Sequence, residues 1–417
     1  MKKHFLSIFN LAVRGLNLAS KFILIVFLAK FLTVAELGLY GLIAATINFA
    51  MYFIGLDFYV YSNRELLKSS DIQRNTIVSS HAQLLCFAYL FALPTLSIIF
   101  FKDFLSLEYL IPFYGLIILE HLNQEFTRLL IVLKKPISSN LLLFVRSGGW
   151  SFIIIFLHFL HVHLTLMDVL NIWIVAEILC FLLSIILLYR EQVRLYLFQQ
   201  VNWSWIWKGL KICLPFMLGT LAVRAIFTGD RYILEYFYDA NILAAYVFFA
   251  SLAAATMSFM DAAVFSFDYP ELVRSINTRD NKHRELIKKL YKKVAFLLIL
   301  INLSAYVFID LLLRLIGKDI FNSYLNYFYL LMLVQVLYAF SMIPHYILYA
   351  LDADKPIIGT QISSLVIFLL FCFSLIGLLQ EDYGIFVALL ASFSFLFLSK
   401  YIYSWRLLKR YEHSYSS

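Results

Sequence analysis

Four basic residues stand inside long apolar stretches, where a charged side chain is expensive. Arg14 and Lys21 are seven residues apart, and so are Arg224 and Arg231. Seven residues make close to two helical turns, so each pair lines one face of a helix. Asn10 and Asn17 extend the first stripe, and Thr220 and Thr228 extend the second. A third polar face comes from Glu120, Gln124 and Arg128 at fourfold spacing, with His121 and Glu125 on the adjoining strip. Asp57, Glu177, Asp230 and Asp261 are further carboxyls in apolar surroundings, a setting suited to proton exchange. The chemistry on offer is electrostatic and acid–base. Plainer readings stand beside it: Arg14 and Arg231 lie near the ends of their stretches and within snorkelling reach of lipid headgroups. Glu125 and Arg128 are also spaced to neutralise each other, and Asp230 adjoins Arg231.

The elements that carry these residues follow from composition. Of 417 residues, 62% are hydrophobic and 14% charged, whereas a soluble domain has roughly 25% charged residues. Water is not the main solvent. A helix needs about 20 apolar residues to cross about 30 Å of hydrocarbon, and about twelve stretches between Phe5 and Tyr403 qualify. With the loops numbered alternately, one side holds Lys2, Lys3, Arg64, Lys68, Arg74, Lys134, Lys135, Arg190, Arg194, Lys208 and Lys211. The same side holds a dense basic group from Arg274 to Lys293, and then Lys355, Arg406, Lys409 and Arg410. The opposite side holds only Lys102 and Lys318, which places both termini in the cytoplasm. The net charge of +8 is thereby an orientation signal with anionic-lipid contact, and nucleic acid is not an expected partner. Four buried cations facing lipid would cost on the order of 10–14 kcal/mol, so a shared hydrated cavity is the cheaper arrangement.

The chain also resembles itself. Tyr40, Glu65 and Leu66 are matched by Tyr246, Glu271 and Leu272 at a constant offset of 206 residues, and Lys135-Pro136 is matched by Lys355-Pro356. An even number of spans per half makes the repeat parallel, as in alternating-access carriers. The expected organisation is an all-α membrane protein with about twelve transmembrane helices in two parallel six-helix bundles around a central cavity. The bundles are residues 1–190 and 209–417, with a cytoplasmic interfacial linker over 191–208 containing Trp203, Trp205 and, at its end, Trp207. Pro94, Pro112, Pro215 and Pro344 fall inside spans and permit kinks. Cys86, Cys180, Cys213 and Cys372 stand singly and read as packing residues, and His158, His161 and His163 read as a wet loop edge. No nucleophile elbow, phosphate-cradling loop or zinc motif is present, so an enzyme is not expected.

Leu37-Gly38-Leu39-Tyr40-Gly41, followed by Gly55-Leu56-Asp57 and Arg64-Glu65-Leu66, resembles the opening of bacterial polysaccharide flippases. Leu214-Pro215-Phe216 with Asp230-Arg231-Tyr232 resembles the start of their second half. These flippases belong to the multidrug, oligosaccharidyl-lipid and polysaccharide exporter superfamily. The resemblance implies an inner-membrane carrier that turns undecaprenyl-pyrophosphate-linked oligosaccharide, an O-antigen or capsule repeat unit, from the cytoplasmic to the periplasmic leaflet. Arg14, Lys21, Arg128, Arg224 and Arg231 would then meet pyrophosphate or acidic sugars. Asp57, Glu120, Glu125 and Asp261 would couple the cycle to a proton or sodium gradient, with no other cofactor. A polysaccharide polymerase and a chain-length regulator are the protein partners this implies. The alternatives are a multidrug exporter of the same superfamily, a multispan O-antigen polymerase and a non-transporting scaffold.

Overall fold

With no water in the bilayer core, a spanning segment must satisfy its own backbone hydrogen bonds, and a helix does so within one segment. The computed structural model describes residues 2–280, 282–375 and 383–416, and every regular element among them is helical. The end expected for the eleventh span, near Leu379, lies outside the described residues. Ten helices are long and apolar enough to cross a membrane. Two further helices are long enough to cross and bear ionisable side chains, giving about twelve spans among the described residues. Phe101 and Ile111 are each 82% exposed. Side chains of this kind face hydrocarbon, and the chain is a multi-pass membrane protein.

The described chain divides into two compact units, Met1–Met217 and Leu218–Ser417. The first contains α1 (Lys2–Phe31), α2 (Val34–Gly55), α3 (Tyr59–Lys68), α4 (Asp71–Leu96), α5 (Ile98–Phe101), α6 (Leu110–Val132), α7 (Pro136–Phe144), α8 (Trp150–Phe159) and α9 (Leu166–Arg190). A helix α10 (Trp203–Phe237) runs from this unit into the second, which continues with α11 (Ala240–Met260), α12 (Ser266–Thr278), α13 (His283–Ile316), α14 (Asp319–Ser323), α15 (Leu325–Ala350), α16 (Asp354–Leu375) and α17 (Gly384–Ser416). The two further long helices are α1 and α6. In the first unit α6 packs on α9, α2 and α7; in the second, α17 packs on α15 and α16.

Local chemistry sets the helix starts. Thr33 and Glu36 form a capping box at α2, and Thr165 and Asp168 form one at α9. Asp239 caps α11 by accepting from the amide of Ile242 at 2.9 Å. The internal repeat recurs in these elements at the same offset: Thr33 before Val34 corresponds to Asp239 before Ala240. α2 ends in a break where Leu56 and Asp57 take positive φ. α11 gives way at the equivalent place to a π-helical turn over Asp261–Phe265. Each break aims a short carboxylate, Asp57 or Asp261, out of regular helix.

Three sequence expectations are corrected by packing. Helix α10 already begins at Trp203, and Trp205 packs on Phe58 and Tyr61 with ring centroids 5.3 and 5.2 Å apart. Trp205 is thus half-buried against the core, its indole covering the apolar back of the α2–α3 break, while Trp203 and Trp207 remain exposed. Cys86 is exposed, whereas Cys180, Cys213 and Cys372 are buried as packing residues. His158 lies against the rings of Phe27 and Phe31 rather than at a bare loop edge.

A second π-helical turn, Val145–Gly149, joins α7 to α8. Gly148 lets α1 approach: a Cβ there would collide with Ser20 Oγ and lie 2.7 Å from Asn17 Oδ1. Gly148→Val should therefore destabilise the first unit by roughly 1–3 kcal/mol through overpacking, seen as a lower melting temperature in detergent. Gly359→Ala, in open space within α16, should leave the melting temperature unchanged or raise it.

Candidate functional site

The first unit gathers charge around α6. Glu120 is buried, and Arg146 from the π-helical turn approaches its Oε2 to 3.2 Å. The same guanidinium donates to the backbone carbonyl of Glu120 at 3.1 Å. Glu177 of α9 is 0% exposed; its Oε2 accepts from Asn123 Nδ2 at 2.7 Å and its backbone carbonyl accepts from the same amide at 2.9 Å. Glu177 lies within electrostatic reach of Glu120, and its Oε1 is buried with no hydrogen-bond partner among the described residues.

Lys21 of α1 lies within electrostatic reach of Glu120, Arg146 and Glu177. Its side chain is exposed. Asn17, one turn earlier, accepts from Ser147 Oγ at 2.7 Å, which ties the α1 stripe to the π-helical turn. Two cations and two acids thus share a site that can exchange a proton or accept an anion.

One turn further along α6, Glu125 and Arg128 form a short ion pair. The Arg128 guanidinium sits 3.6 Å from the centroid of the Tyr59 ring, a cation–π contact that orients it. Asp57 is 5% exposed at the preceding break and lies within electrostatic reach of Tyr59. In the second unit, Asp230 accepts from the Arg231 amide at 2.6 Å, from the Arg231 guanidinium at 3.0 Å and, through its other oxygen, from Tyr246 hydroxyl at 2.6 Å. Asp261 is exposed and within electrostatic reach of Arg224. The Arg14 side chain lies outside the described residues.

The two pairs that the sequence spacing offered, Arg128 with Glu125 and Arg231 with Asp230, are ion pairs in the structure. Lys21 and Arg224 lie within electrostatic reach of Glu120 and Asp261 respectively. The structure also adds residues that the sequence reading passed over. Arg146 and Asn123 complete the Glu120 site. Lys400 of α17, 1% exposed with no ion pair among the described residues, lies within electrostatic reach of His345. The signal for Arg146 and Lys400 was available, because a lysine or arginine inside an apolar span is itself a functional pointer.

No family model matches this chain, and no curated protein matches it. Solved structures do. An inward-facing multidrug resistance MATE family transporter of the MOP superfamily aligns with TM-score 0.74 and 11% identity, covering 98% of this chain and 99% of its own. An outward-facing structure of such a transporter aligns with TM-score 0.60 and 13% identity, covering 98% and 95%. A MOP superfamily transporter from Pyrococcus furiosus, described by a binding pocket of reverse polarity that suggests a different function, aligns with TM-score 0.57 and 13% identity over 96% and 94%. At these identities the likeness shows the fold: this chain has the fold of MATE transporters.

Arg146→Met should strand Glu120 beside Glu177 and destabilise the protein by roughly 3–5 kcal/mol, the cost of breaking a buried pair from one side. Arg146→Met combined with Glu120→Met should recover much of that loss. A double-mutant cycle on detergent melting curves measures the coupling, and additive losses would deny the pair any energetic role.

Proposed function

We propose that this chain is a secondary carrier that moves an amphipathic solute across the bacterial inner membrane by alternating access, with both termini in the cytoplasm. The fold likeness to MATE transporters supports this coarse reading and, by itself, favours a drug-like solute. The observation that carries the proposal is the set of acids and bases paired inside the spans of the first unit, with Lys21 among them left open to a ligand. Buried ionisable groups of this kind mark substrate and ion pathways in membrane proteins.

A second reading is favoured by the number of cations at these sites: a flippase for undecaprenyl-pyrophosphate-linked oligosaccharide. Lys21, Arg128, Arg224 and Arg231, with Arg14 on the same stripe as Lys21, offer the charge-assisted hydrogen bonds that a pyrophosphate group accepts. In either reading Asp57, Glu120, Glu125 and Asp261 supply the coupling to a proton or sodium gradient. A polymerase and a chain-length regulator are partners of the second reading alone.

Proteoliposomes separate the two. The flippase reading expects translocation of a defined lipid-linked sugar and no efflux of cationic dyes; the exporter reading expects the reverse. Under the flippase reading, Lys21→Ala combined with Arg224→Ala should abolish export of surface polysaccharide while membrane insertion is retained. Normal export from that double variant would remove the cationic pathway.

A further inference from the structure

Helix α13 is 34 residues long, about 51 Å at the usual helical rise, and so outreaches about 30 Å of hydrocarbon. The surplus lies at its start, where residues 283–293 carry Arg284, Lys288, Lys289, Lys292 and Lys293. Two of these cations are spent inside the second unit. Arg284 pairs with Glu412 of α17, and Lys293 pairs with Asp268 of α12 at 2.6 Å. Lys288, Lys289 and Lys292 are exposed and have no ion pair among the described residues. Glu285, one turn nearer the helix start, is exposed beside them and makes no ion pair with them among those residues.

At about 100° per residue, the three lysines share one arc of α13 with Phe296, Ile299, Leu303 and Val307, all of them exposed. The opposite arc carries Leu290, Val294 and Leu298, which are buried in a core shared with α11, α12 and α15. The rise from Phe296 to Val307 is about 16 Å, the depth of one leaflet of the hydrocarbon. A row of ammonium groups thus stands at the head of an apolar stripe one acyl chain long. An orientation signal needs positive charge only on the correct side. It requires neither this alignment nor the division between cations held by carboxylates and cations left to solvent.

We propose that this face of α13 is a binding site for an anionic phospholipid of the leaflet that the basic loops assign to the cytoplasm. Its phosphate sits on Lys288, Lys289 and Lys292, and an acyl chain lies against Phe296, Ile299 and Leu303. Charge complementarity selects the headgroup: each ammonium offers three donors to phosphate oxygens, and basic clusters just cytoplasmic of a spanning segment attract anionic lipid. Continuity with the lipid-facing surface selects a bilayer lipid over a soluble phosphate ester, because only the lipid covers both parts of the stripe. A zwitterionic lipid covers the apolar part equally well, but its own ammonium brings like charge to the lysines. Through the Arg284 and Lys293 pairs, a lipid seated here is fastened to the same end of α17 and α12. The site serves either solute reading given above.

A fluorophore on Leu300→Cys, exposed beside the stripe, tests this in the full chain, with Cys86→Ser removing the exposed native thiol. The labelled chain is reconstituted in phosphatidylcholine vesicles containing a small fraction of either phosphatidylglycerol or phosphatidylcholine with brominated chains, which quench on contact. The anionic lipid should quench about tenfold more effectively than the zwitterionic one, on a scale of roughly fivefold per lysine at an anionic surface. Lys288→Gln/Lys289→Gln/Lys292→Gln should bring the two lipids to equal quenching without lowering the melting temperature. If that triple variant does not insert, the three single replacements carry the comparison, each reducing the preference about two- to fivefold. Equal quenching by both lipids in the parent chain would overturn the site. So would a preference that survives loss of the lysines, which would leave them an orientation signal only.

Discussion

An ionised group in hydrocarbon needs a partner of opposite charge or a route to water, and the arrangement of this protein follows from that need. Three arginines inside apolar spans each meet a carboxylate: Arg146 with Glu120, Arg128 with Glu125, and Arg231 with Asp230. None of these pairs is strong evidence of stability, because the desolvation cost offsets much of the Coulombic gain. Their value is positional. A buried pair that breaks at great cost when one partner is removed fixes helix register around α6 and leaves a defined set of proton and anion positions.

The helix irregularities supply the geometry for this pairing. Regular helix presents side chains every 3.6 residues, which would leave Arg146 and Glu120 to chance. The π-helical turn at Val145–Gly149 shifts the register locally and, with Gly148 allowing α1 close, turns Arg146 onto Glu120. The second π-helical turn, at Asp261–Phe265, and the break at Leu56–Asp57 stand at equivalent places in the repeat. π-turns concentrate at functional sites, and here each irregularity carries or adjoins an ionisable residue.

α6 holds both charged sites of the first unit on successive turns, Glu120 and Asn123 on one side and His121, Glu125 and Arg128 on the other. A proton that changes one site alters the field at the next. This is the physical basis on which a single helix can register ion and solute together, and it needs no movement larger than the exchange of one ion-pair partner for another.

Much of the fold was legible in the sequence. Apolar length gave about twelve spans, the offset between Tyr40 and Tyr246 gave a repeat whose helix starts recur at the same spacing, and charged residues inside spans marked Lys21, Glu120, Glu125 and Arg128. These are properties of a helix taken alone: length, period and the cost of charge. What only tertiary structure decided is which charge meets which across helices. Arg146 lies 26 residues from Glu120, and Glu177 lies 54 from Asn123, and no local spacing rule pairs them. Trp205 was read as interfacial and packs half-buried on a core cluster, because only the folded α2–α3 break creates the apolar surface it covers. Tyr89 meets His121 from another helix, a contact on which periodicity within one helix carries no information.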